Sequence, residues 1–247
     1  MAKGRLIIFT GAGISAASGI ATFRGTDGLW ENHKIEDVCD AWSWFKNRDL
    51  VHAFYNARRV QLGTVAPNAA HLMVARLQDR YGATVLTQNV DDLHERAAES
   101  ELVTRGKILH VHGRLTEMTC TQCRTPWDIG YRDWDTAYER CPGCGTRKLV
   151  RPNIVFFREE PPAYPEMYDT LEGLTEQDVL VVIGTSSAVI PIGRIAHESR
   201  ALTLLSNLTA EPELVRTNGE PNFDVALYGP TEEKAEAIEQ QIARWLA

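Results

Sequence analysis

The sequence has no apolar run that approaches the ~18 residues a helix needs to cross a lipid bilayer. It also has no run of five or more basic residues, and its 33 acidic residues outnumber its 26 Lys and Arg, for a formal charge of −7. Capture of a nucleic-acid backbone is therefore not expected. Internal repeats and low-complexity tracts are absent too. A chain of 247 residues with 44% hydrophobic content then reads as one large globular domain, or a domain carrying a smaller module.

Export signals are also lacking. The early apolar run LIIF at 6–9 is too short for a signal-peptide core, and no small-residue cleavage site follows it. We therefore expect a cytoplasmic protein that does not engage membranes. Cysteine is scarce, with five residues, of which four form two C-x-x-C pairs and Cys39 stands alone. In a chain without an export signal, such pairs indicate a metal site rather than disulfides.

Several short segments have the composition of strands that are buried on both faces, which is typical of a parallel sheet covered by helices. They are residues 5–10, 83–87, 108–113, 178–186 and 201–207. The C-terminal stretch 231–246 instead has apolar residues at helix spacing. Residues 36–62 read as helical, and 116–150 hold the paired cysteines. Both interrupt the α/β rhythm, so we expect them to form a smaller lobe.

A glycine-rich turn follows the first predicted strand. Gly11-Ala12-Gly13 leads into the apparent start of a helix, ISAASGI, an arrangement that places a phosphate at a helix N-terminus. The alternative is a plain tight turn. An ordinary dinucleotide site also needs an acidic residue ~20 positions on, at the end of the next strand. The sequence there reads TFRGTDGLW, which does not resemble a strand, so a standard dehydrogenase is disfavoured.

The cysteine spacing predicts a zinc site. Cys120-x-x-Cys123 precedes Cys141-x-x-Cys144, within the range of four-thiolate zinc ribbons, and glycines near the second pair permit the tight turns that such ligands need. Four thiolates leave no open coordination position, so the zinc is expected to be structural. Cys39 has no partner at metal spacing and reads as a small core or surface residue.

Polar residues follow two other predicted strands. The segment TQNVDDLH at 87–94 places amides and carboxylates where open α/β sheets bind ligands. Asp91 or Asp92 is alternatively a helix cap. In HVHG at 110–113, a histidine that precedes glycine at a strand end can serve as a general base, although a lone histidine is more often structural.

In this order, the motifs resemble the sirtuin family. The matching stretches are GAGISAASGIATFRGTDGLW, TQNVDDLHERA, the HG of HVHG, the two C-x-x-C pairs, RPNIVFF, GTSS and SNL. The resemblance implies a Rossmann-like doubly wound parallel sheet with a smaller lobe made of a zinc-ribbon module and a helical module. The large domain would comprise residues 1–35, 80–115 and 150–247; the helical module would be 36–79 and the zinc module 116–149.

The same resemblance implies an NAD-consuming protein-lysine deacylase that releases nicotinamide and O-acyl-ADP-ribose. His112 would be the general base and Asn89 a second catalytic residue, while Val155 and Phe157 would contact the substrate peptide. One structural zinc and a monomer are expected. The implied NAD-binding residues are Gly11, Ala12, Gly13, Thr22, Phe23, Arg24, Trp30, Gln88, Asn89, Asp91, Gly184, Thr185, Ser186, Asn207, Leu208 and Thr231.

The acyl preference is read from Tyr55 and Arg58, which are spaced i, i+3 on one helix face. This Y-x-x-R pair, together with Thr22, resembles the sirtuin class that prefers succinyl, malonyl and glutaryl lysine. A guanidinium binds a terminal carboxylate bidentately, and a phenol adds a hydrogen bond. The alternative is that Arg58 is a solvated helix residue beside Arg59 and that Tyr55 belongs to the core.

One departure from the family pattern leaves other functions open. The family usually reads F-G-E where this chain has Phe157-Arg158-Glu159. Arg158 would narrow the peptide channel or select acidic sequences, and a blocked channel would leave an NAD hydrolase. A zinc-ribbon interaction module without catalysis is the alternative from another class of protein.

Overall fold

The protein is described by a computed structural model that covers residues 4–21, 29–30 and 33–246. Its centre is a six-stranded sheet whose neighbouring strands all run parallel, in the order β11-β10-β9-β1-β4-β5. These strands are β1 (Leu6–Thr10), β4 (Thr84–Thr87), β5 (Lys107–His110), β9 (Val179–Ile183), β10 (Leu202–Asn207) and β11 (Val225–Tyr228). The doubly wound parallel sheet is as the sequence predicts.

Burial on both faces explains why the strands are uniformly apolar. Side chains alternate along β1, so that Leu6 and Ile8 enter one hydrophobic cluster while Ile7 and Phe9 enter the other. The first cluster packs under α3 and α7, and the second under α5 and α6. The helices are α1 (Ile35–Val38), α2 (Arg48–Leu62), α3 (Ala69–Tyr81), α4 (Leu93–Ser100), α5 (Tyr164–Glu172), α6 (Ile192–Glu198) and α7 (Thr231–Trp245).

A second region contains the cysteines. Strands β6 (Gly113–Cys120), β7 (Pro126–Asp128) and β8 (Val150–Ile154) form an antiparallel sheet in the order β7-β6-β8. Beside it, α1 and α2 build a separate apolar cluster around Tyr55 and Phe156. A two-residue pair, β2 (Leu29–Trp30) and β3 (His33–Lys34), precedes α1. Each helix in the described part of the chain is too short or too polar to span a lipid bilayer.

Three local details differ from the sequence-based expectation. The predicted strand 108–113 ends at His110, and a turn separates it from β6. The predicted helix start after the glycines is a 3-10 helix, Ala12–Ser18, which Gly19 ends with φ +90°. The edge strand β11 was not predicted, because three partly buried residues and one exposed residue give little periodicity.

The packing of α3 bears on the boundary of the helical module. The sequence assigns residues 36–79 to it, yet α3 places Met73, Val74 and Leu77 in the same cluster as Leu6 and Ile8 of the parallel sheet. We therefore propose that the helical module ends in the connection between α2 and α3, and that α3 belongs to the large domain. The other module boundaries stay predictions.

Candidate functional site

The carboxyl ends of the central strands meet at one edge of the sheet, where open α/β folds bind ligands. There the glycine-rich turn after β1 packs directly on the turn after β9. A Cβ added to Gly13 would lie 2.7 Å from Gly184 Cα, and one added to Gly11 would lie 2.8 Å from Gly184 O. The amides of Gly11 and Gly13 donate to Ile183 O and Gly184 O. These glycines are therefore required for the close approach of two turns.

The predicted nucleotide residues after β4 and β9 are brought together. The Gln88 side-chain amide donates to Thr185 Oγ1 at 3.0 Å. Thr185 is buried, whereas Ser186 is exposed beside it. The turn continues through Ser187, whose φ is +63° and whose amide donates to Thr185 Oγ1. Hydroxyl and amide groups thus line the sheet edge between β4 and β9, a donor set that suits ribose hydroxyls and phosphates.

A buried hydrogen-bond network fixes Asn89 and Asp91. Ser15 donates to Asp91 Oδ2 at 3.0 Å, and the Asn89 side chain donates to Ser15 Oγ at 3.1 Å. Asp91 also accepts from the amide of Leu93, the first residue of α4, at 3.2 Å, whereas the N-cap residue Asp92 makes no side-chain capping bond. The predicted contact of Asp91 with the nucleotide stays a prediction. Burial raises the pKa of Asp91 to about 6, and the hydrogen bonds from Ser15 and Leu93 oppose that rise.

Two buried histidines lie behind this network. His71 on α3 is 3.4 Å from Ser15 Oγ, and His94 on α4 is 3.0 Å from Thr10 Oγ1. Their rings meet edge to face at a centroid distance of 5.1 Å. Burial lowers the pKa of His71 to about 4, so the ring is neutral at physiological pH. Ser15 and His94 lie inside motifs quoted from the sequence but were assigned no role there, and His71 was not singled out. Polar residues inside apolar helical stretches were the available signal.

His112 follows β5 by two residues, and its ring lies against the sheet edge. Its Nδ1 is 3.2 Å from Gln88 O, and its Nε2 is 3.0 Å from the Tyr164 hydroxyl. Burial lowers the pKa of His112 from its ordinary value, and the Gln88 carbonyl acts in the opposite sense. A base that is neutral at physiological pH therefore lies next to the predicted nucleotide residues.

His110 supports the same segment from the other side of the turn. Its Nδ1 contacts Asn89 O at 2.9 Å, and its Nε2 contacts Glu95 Oε1 at 2.7 Å. Arg114 also pairs with Glu95, at 3.0 Å. Of the two histidines of HVHG, His112 thus faces the sheet edge. His110 instead connects the backbone of Asn89 to Glu95 of α4.

The predicted NAD-binding residues after β10 and at the start of α7 are more dispersed. Asn207 is buried at the end of β10, and its side chain donates to Thr209 O at 3.1 Å. Thr231 begins α7 and is 3.1 Å from Ser206 Oγ, while Leu208 is exposed. Of the remaining predicted cofactor residues, Thr22, Phe23 and Arg24 and the side chain of Trp30 lie outside the described residues.

The acyl-pocket pair is divided between core and surface. Tyr55 is fully buried, stacked on Phe156 at a centroid distance of 5.9 Å and an interplanar angle of 14°. Arg58 is half-buried, with its guanidinium carbon 4.2 Å from the Phe54 ring centroid. Burial raises the pKa of Tyr55 well above its ordinary value, so its phenol keeps its proton. Cys39 is buried and hydrogen-bonds to Tyr55, which places it in the core.

Of the two adjacent arginines on α2, Arg58 and Arg59, it is Arg59 that is buried. Its side chain is 0% exposed and donates to Leu115 O at 2.8 Å and to Asn56 Oδ1 at 2.7 Å. It also approaches Met118 Sδ at 3.4 Å. Arg59 therefore joins α2 to β6, and burial lowers its pKa to about 10.

The segment after β8 connects the two regions. The Val155 amide donates to His112 O at 2.9 Å, and the Phe157 amide donates to Cys39 O at 3.0 Å. The Ala41 amide donates to Phe157 O at 3.1 Å. Val155 and Phe157, which are predicted to contact the substrate peptide, thus lie on an extended segment between His112 and α1. The side chain of Phe157 is exposed.

Arg158, the departure from the family's glycine, has a left-handed backbone with φ +70°. Its guanidinium pairs with Asp40 and lies 4.5 Å from the ring centroid of Trp42. Asp40 is buried and also accepts from the amides of Trp42 and Ser43. The long side chain is thus held against the segment after α1, which gives a physical reason for an arginine where glycine would be unstrained.

Replacing Arg158 by glycine is expected to lower the free energy of unfolding by about 1 kcal/mol. Removing the guanidinium that pairs with the buried Asp40 carboxylate costs about 1–3 kcal/mol. Glycine adopts the left-handed backbone of position 158 without strain, which offsets about 1–2 kcal/mol of that cost. Urea unfolding of Arg158→Gly, Asp40→Asn and the double variant measures this. The two changes should be less than additive, because each removes the same ion pair. Strict additivity would show that the pair contributes nothing.

The four paired cysteines converge as the spacing predicts. Their sulfurs all lie within 4.8 Å of one another, with Cys120 and Cys144 3.6 Å apart and Cys123 and Cys141 3.5 Å apart. These separations exceed a disulfide bond and approach the ~3.8 Å edge of a tetrahedron built from ~2.3 Å zinc–sulfur bonds. The Gly143 amide also points at Cys141 Sγ, at 3.3 Å. The cluster therefore fits a structural zinc.

Comparisons with known proteins agree with this geometry. The profile of the Sir2 family matches residues 11–191. An NAD-dependent protein deacylase of Helicobacter hepaticus is 38% identical over 263 residues, which cover 98% of each chain. A protein of the same description from Shigella flexneri is 41% identical over 240 residues, covering 93% of this chain and 81% of the relative.

Solved structures show the same fold. A Sir2 homolog–NAD complex matches with a TM-score of 0.79 at 31% identity, covering 99% of this chain and 91% of that chain. A Sir2 bound to a deacetylated peptide and 3′-O-acetyl ADP-ribose matches with a TM-score of 0.74 at 25% identity, covering 97% and 94%. With the strand-end site and the four-cysteine cluster in place, these matches show that the chain belongs to the Sir2 family.

Proposed function

We propose that this protein is an NAD-dependent protein-lysine deacylase with a preference for acidic acyl groups such as succinyl and malonyl. The single observation that carries the proposal is the position of His112. It lies beside Gln88 at the sheet edge, and its carbonyl accepts from Val155 in the segment that leads to Phe156 and Tyr55. The neutral His112 ring therefore contacts the predicted nucleotide-binding edge of the sheet, and its backbone contacts the segment that leads to Tyr55. The relatives named NAD-dependent protein deacylase support the same chemistry.

When bound, NAD supplies the ribose carbon that accepts the acyl oxygen as nicotinamide leaves. His112 acts as a base at Nε2, because its Nδ1 faces the Gln88 carbonyl and must carry the hydrogen. Asn89 and Asp91 are held by Ser15, so their amide and carboxylate dipoles are fixed before substrate arrives. The half-buried Arg58 would bind the acyl carboxylate, and Tyr55 would supply a phenol donor from the core.

The four cysteines would hold one zinc as a structural ion, since four thiolates leave no coordination position for substrate. The zinc module reaches the site through Tyr131, whose hydroxyl donates to Asp92 at the start of α4. The zinc module also contacts α2, because the Trp134 amide donates to Asn56 Oδ1 at 2.9 Å. A monomer that does not bind nucleic acid stays a prediction.

Replacing Arg58 by methionine is expected to lower kcat/KM on a succinyl-lysine peptide by about 100-fold, since hydrogen bonds between charged groups contribute about 1.5–3 kcal/mol. Turnover of the matched acetyl-lysine peptide should stay within about 3-fold, because an acetyl group offers no carboxylate. O-acyl-ADP-ribose followed by mass spectrometry measures both rates.

Two further variants sharpen this test. Arg58→Lys keeps the charge but loses the planar fork, so an intermediate loss on succinyl-lysine is expected. Tyr55→Phe should have a smaller selective effect than Arg58→Met, because Tyr55 is fully buried. Equal losses on both peptides would remove Arg58 from the acyl pocket. Nicotinamide release with no acyl transfer from either peptide would instead identify an NAD hydrolase.

A further inference from the structure

The ring of His112 is held at both nitrogens, and the two contacts have different chemistry. Gln88 O can only accept a hydrogen bond, so the Nδ1 atom 3.2 Å away must carry the hydrogen. In the neutral ring, Nε2 then has a lone pair and no hydrogen. The Tyr164 hydroxyl, 3.0 Å from Nε2, is therefore the donor. One hydroxyl group occupies the only nitrogen that can accept a proton.

Tyr164 lies 52 positions along the chain from His112. It is the first residue of α5, and its half-buried ring packs beside the large-domain core. Its ring centroid is 5.9 Å from that of His112, and the Tyr168 ring meets it edge to face at 5.7 Å. Burial raises the pKa of Tyr164 and the neighbouring Tyr168 adds to the rise, so the phenol keeps its proton at neutral pH.

We infer that Tyr164 is a positioning residue that holds His112 in the productive tautomer and releases Nε2 to a ribose hydroxyl when the nucleotide binds. The inference rests on the proposed function for the identity of the nucleotide. A single lone pair accepts one good hydrogen bond, so the phenol and the ribose hydroxyl compete for the same atom. In the free protein, the Tyr164 hydroxyl therefore occupies the lone pair of His112 Nε2. Because the ribose hydroxyl must displace it, Tyr164 also weakens nucleotide binding.

The effect of Tyr164 on the charge of His112 has a definite sign. Donation to Nε2 favours the neutral ring and adds to the lowering of the His112 pKa by burial, whereas the Gln88 carbonyl opposes it. In the described chain, His110 of the same turn pairs with Glu95, and Glu95 also pairs with Arg114. Removing the phenol should raise the His112 pKa, so His112 would lose its neutral form at a higher pH.

The first test uses the free protein and does not depend on turnover. NMR titration of the His112 ring should give a pKa about 0.5–1 unit higher in Tyr164→Phe than in the wild type, as expected for the loss of one hydrogen bond. Tyr168→Phe is the matched control, because it removes the hydroxyl of the neighbouring ring and keeps the Tyr164 hydroxyl that contacts His112 Nε2. That control should leave the His112 pKa unchanged. An identical His112 pKa in the wild type and Tyr164→Phe would overturn the inference.

The second test measures competition for Nε2. Calorimetric titration with ADP-ribose should show about 3- to 10-fold tighter binding to Tyr164→Phe than to the wild type, because the competing hydroxyl is gone. Unchanged or weaker binding would overturn the release step. Both measurements remain decisive if the protein fails to turn over any acyl-lysine peptide. That result would refute the deacylase, while a raised pKa with tighter ADP-ribose binding would still uphold the role of Tyr164.

Discussion

Replacement of His112 by asparagine is expected to lower the rate of acyl transfer by about 10²–10⁴-fold, the range that a positioned general base contributes. Asparagine keeps a polar side chain beside Gln88 O but has no lone pair that accepts a proton at neutral pH. The protein should stay folded, because His112 is not part of the apolar clusters. Single-turnover formation of O-acyl-ADP-ribose measures the effect.

The matched control for this variant is His197→Asn. His197 lies on α6 and is exposed, so its replacement should leave turnover within about 2-fold of the wild type. The wild-type pH profile provides an independent check. Because the pKa of His112 is lowered, the neutral base persists below its ordinary pKa, and activity should be lost only as the pH falls through the lowered value. Wild-type turnover in His112→Asn would remove it from the catalytic role.

Replacement of Cys141 by serine is expected to abolish zinc binding and to unfold the zinc module. The wild type should contain about one zinc per chain by elemental analysis, and the variant close to none. The module has a small core whose buried members include Met118, Trp134 and Val150. Between β7 and β8 it consists of turns, so metal binding, which contributes about 10–16 kcal/mol in zinc-finger peptides, must supply most of its order.

Loss of the module should reach the candidate site as well. Trp134 holds Asn56, Asn56 holds Arg59, and Tyr131 donates to Asp92 beside the nucleotide residues. We therefore expect thermal unfolding at least several degrees lower and a loss of acyl transfer in Cys141→Ser. Cys39→Ala is the control: Cys39 lies outside the cluster, so zinc content should be unchanged. A folded, metal-free wild-type protein would contradict the prediction.

Much of the large domain follows from hydrophobic pattern alone. Strands buried on both faces must be apolar throughout, so residues 178–186 and 201–207 indicate β9 and β10, and the 3.6-residue spacing of 231–246 indicates α7. The short edge strand β11 escaped prediction because its residues are only partly buried. The turn at 111–112 was also missed, since an apolar residue between two histidines continues the strand pattern.

The candidate site also has features that the local sequence predicts and features that it does not. Cysteine spacing is enough to predict the sulfur cluster, because two C-x-x-C turns can be closed by one ion. Helix spacing places Tyr55 and Arg58 on one face, but it does not say which of two adjacent arginines enters the core. The structure buries Arg59 and leaves Arg58 half-exposed. That choice depends on where β6 supplies a carbonyl, which the local sequence does not encode.

By itself the sequence determined the doubly wound sheet, the four sulfur ligands and the stretch of polar residues that follows β4, because each depends on local periodicity or on short, fixed spacing. The tertiary structure alone decided the pairings across long separations. Tyr164 meets His112 from 52 positions away, and Arg158 meets Asp40 from 118 positions away. Such contacts are set by how α5 and the segment after β8 pack on the strand ends, and packing of that kind leaves no periodic signal in the chain.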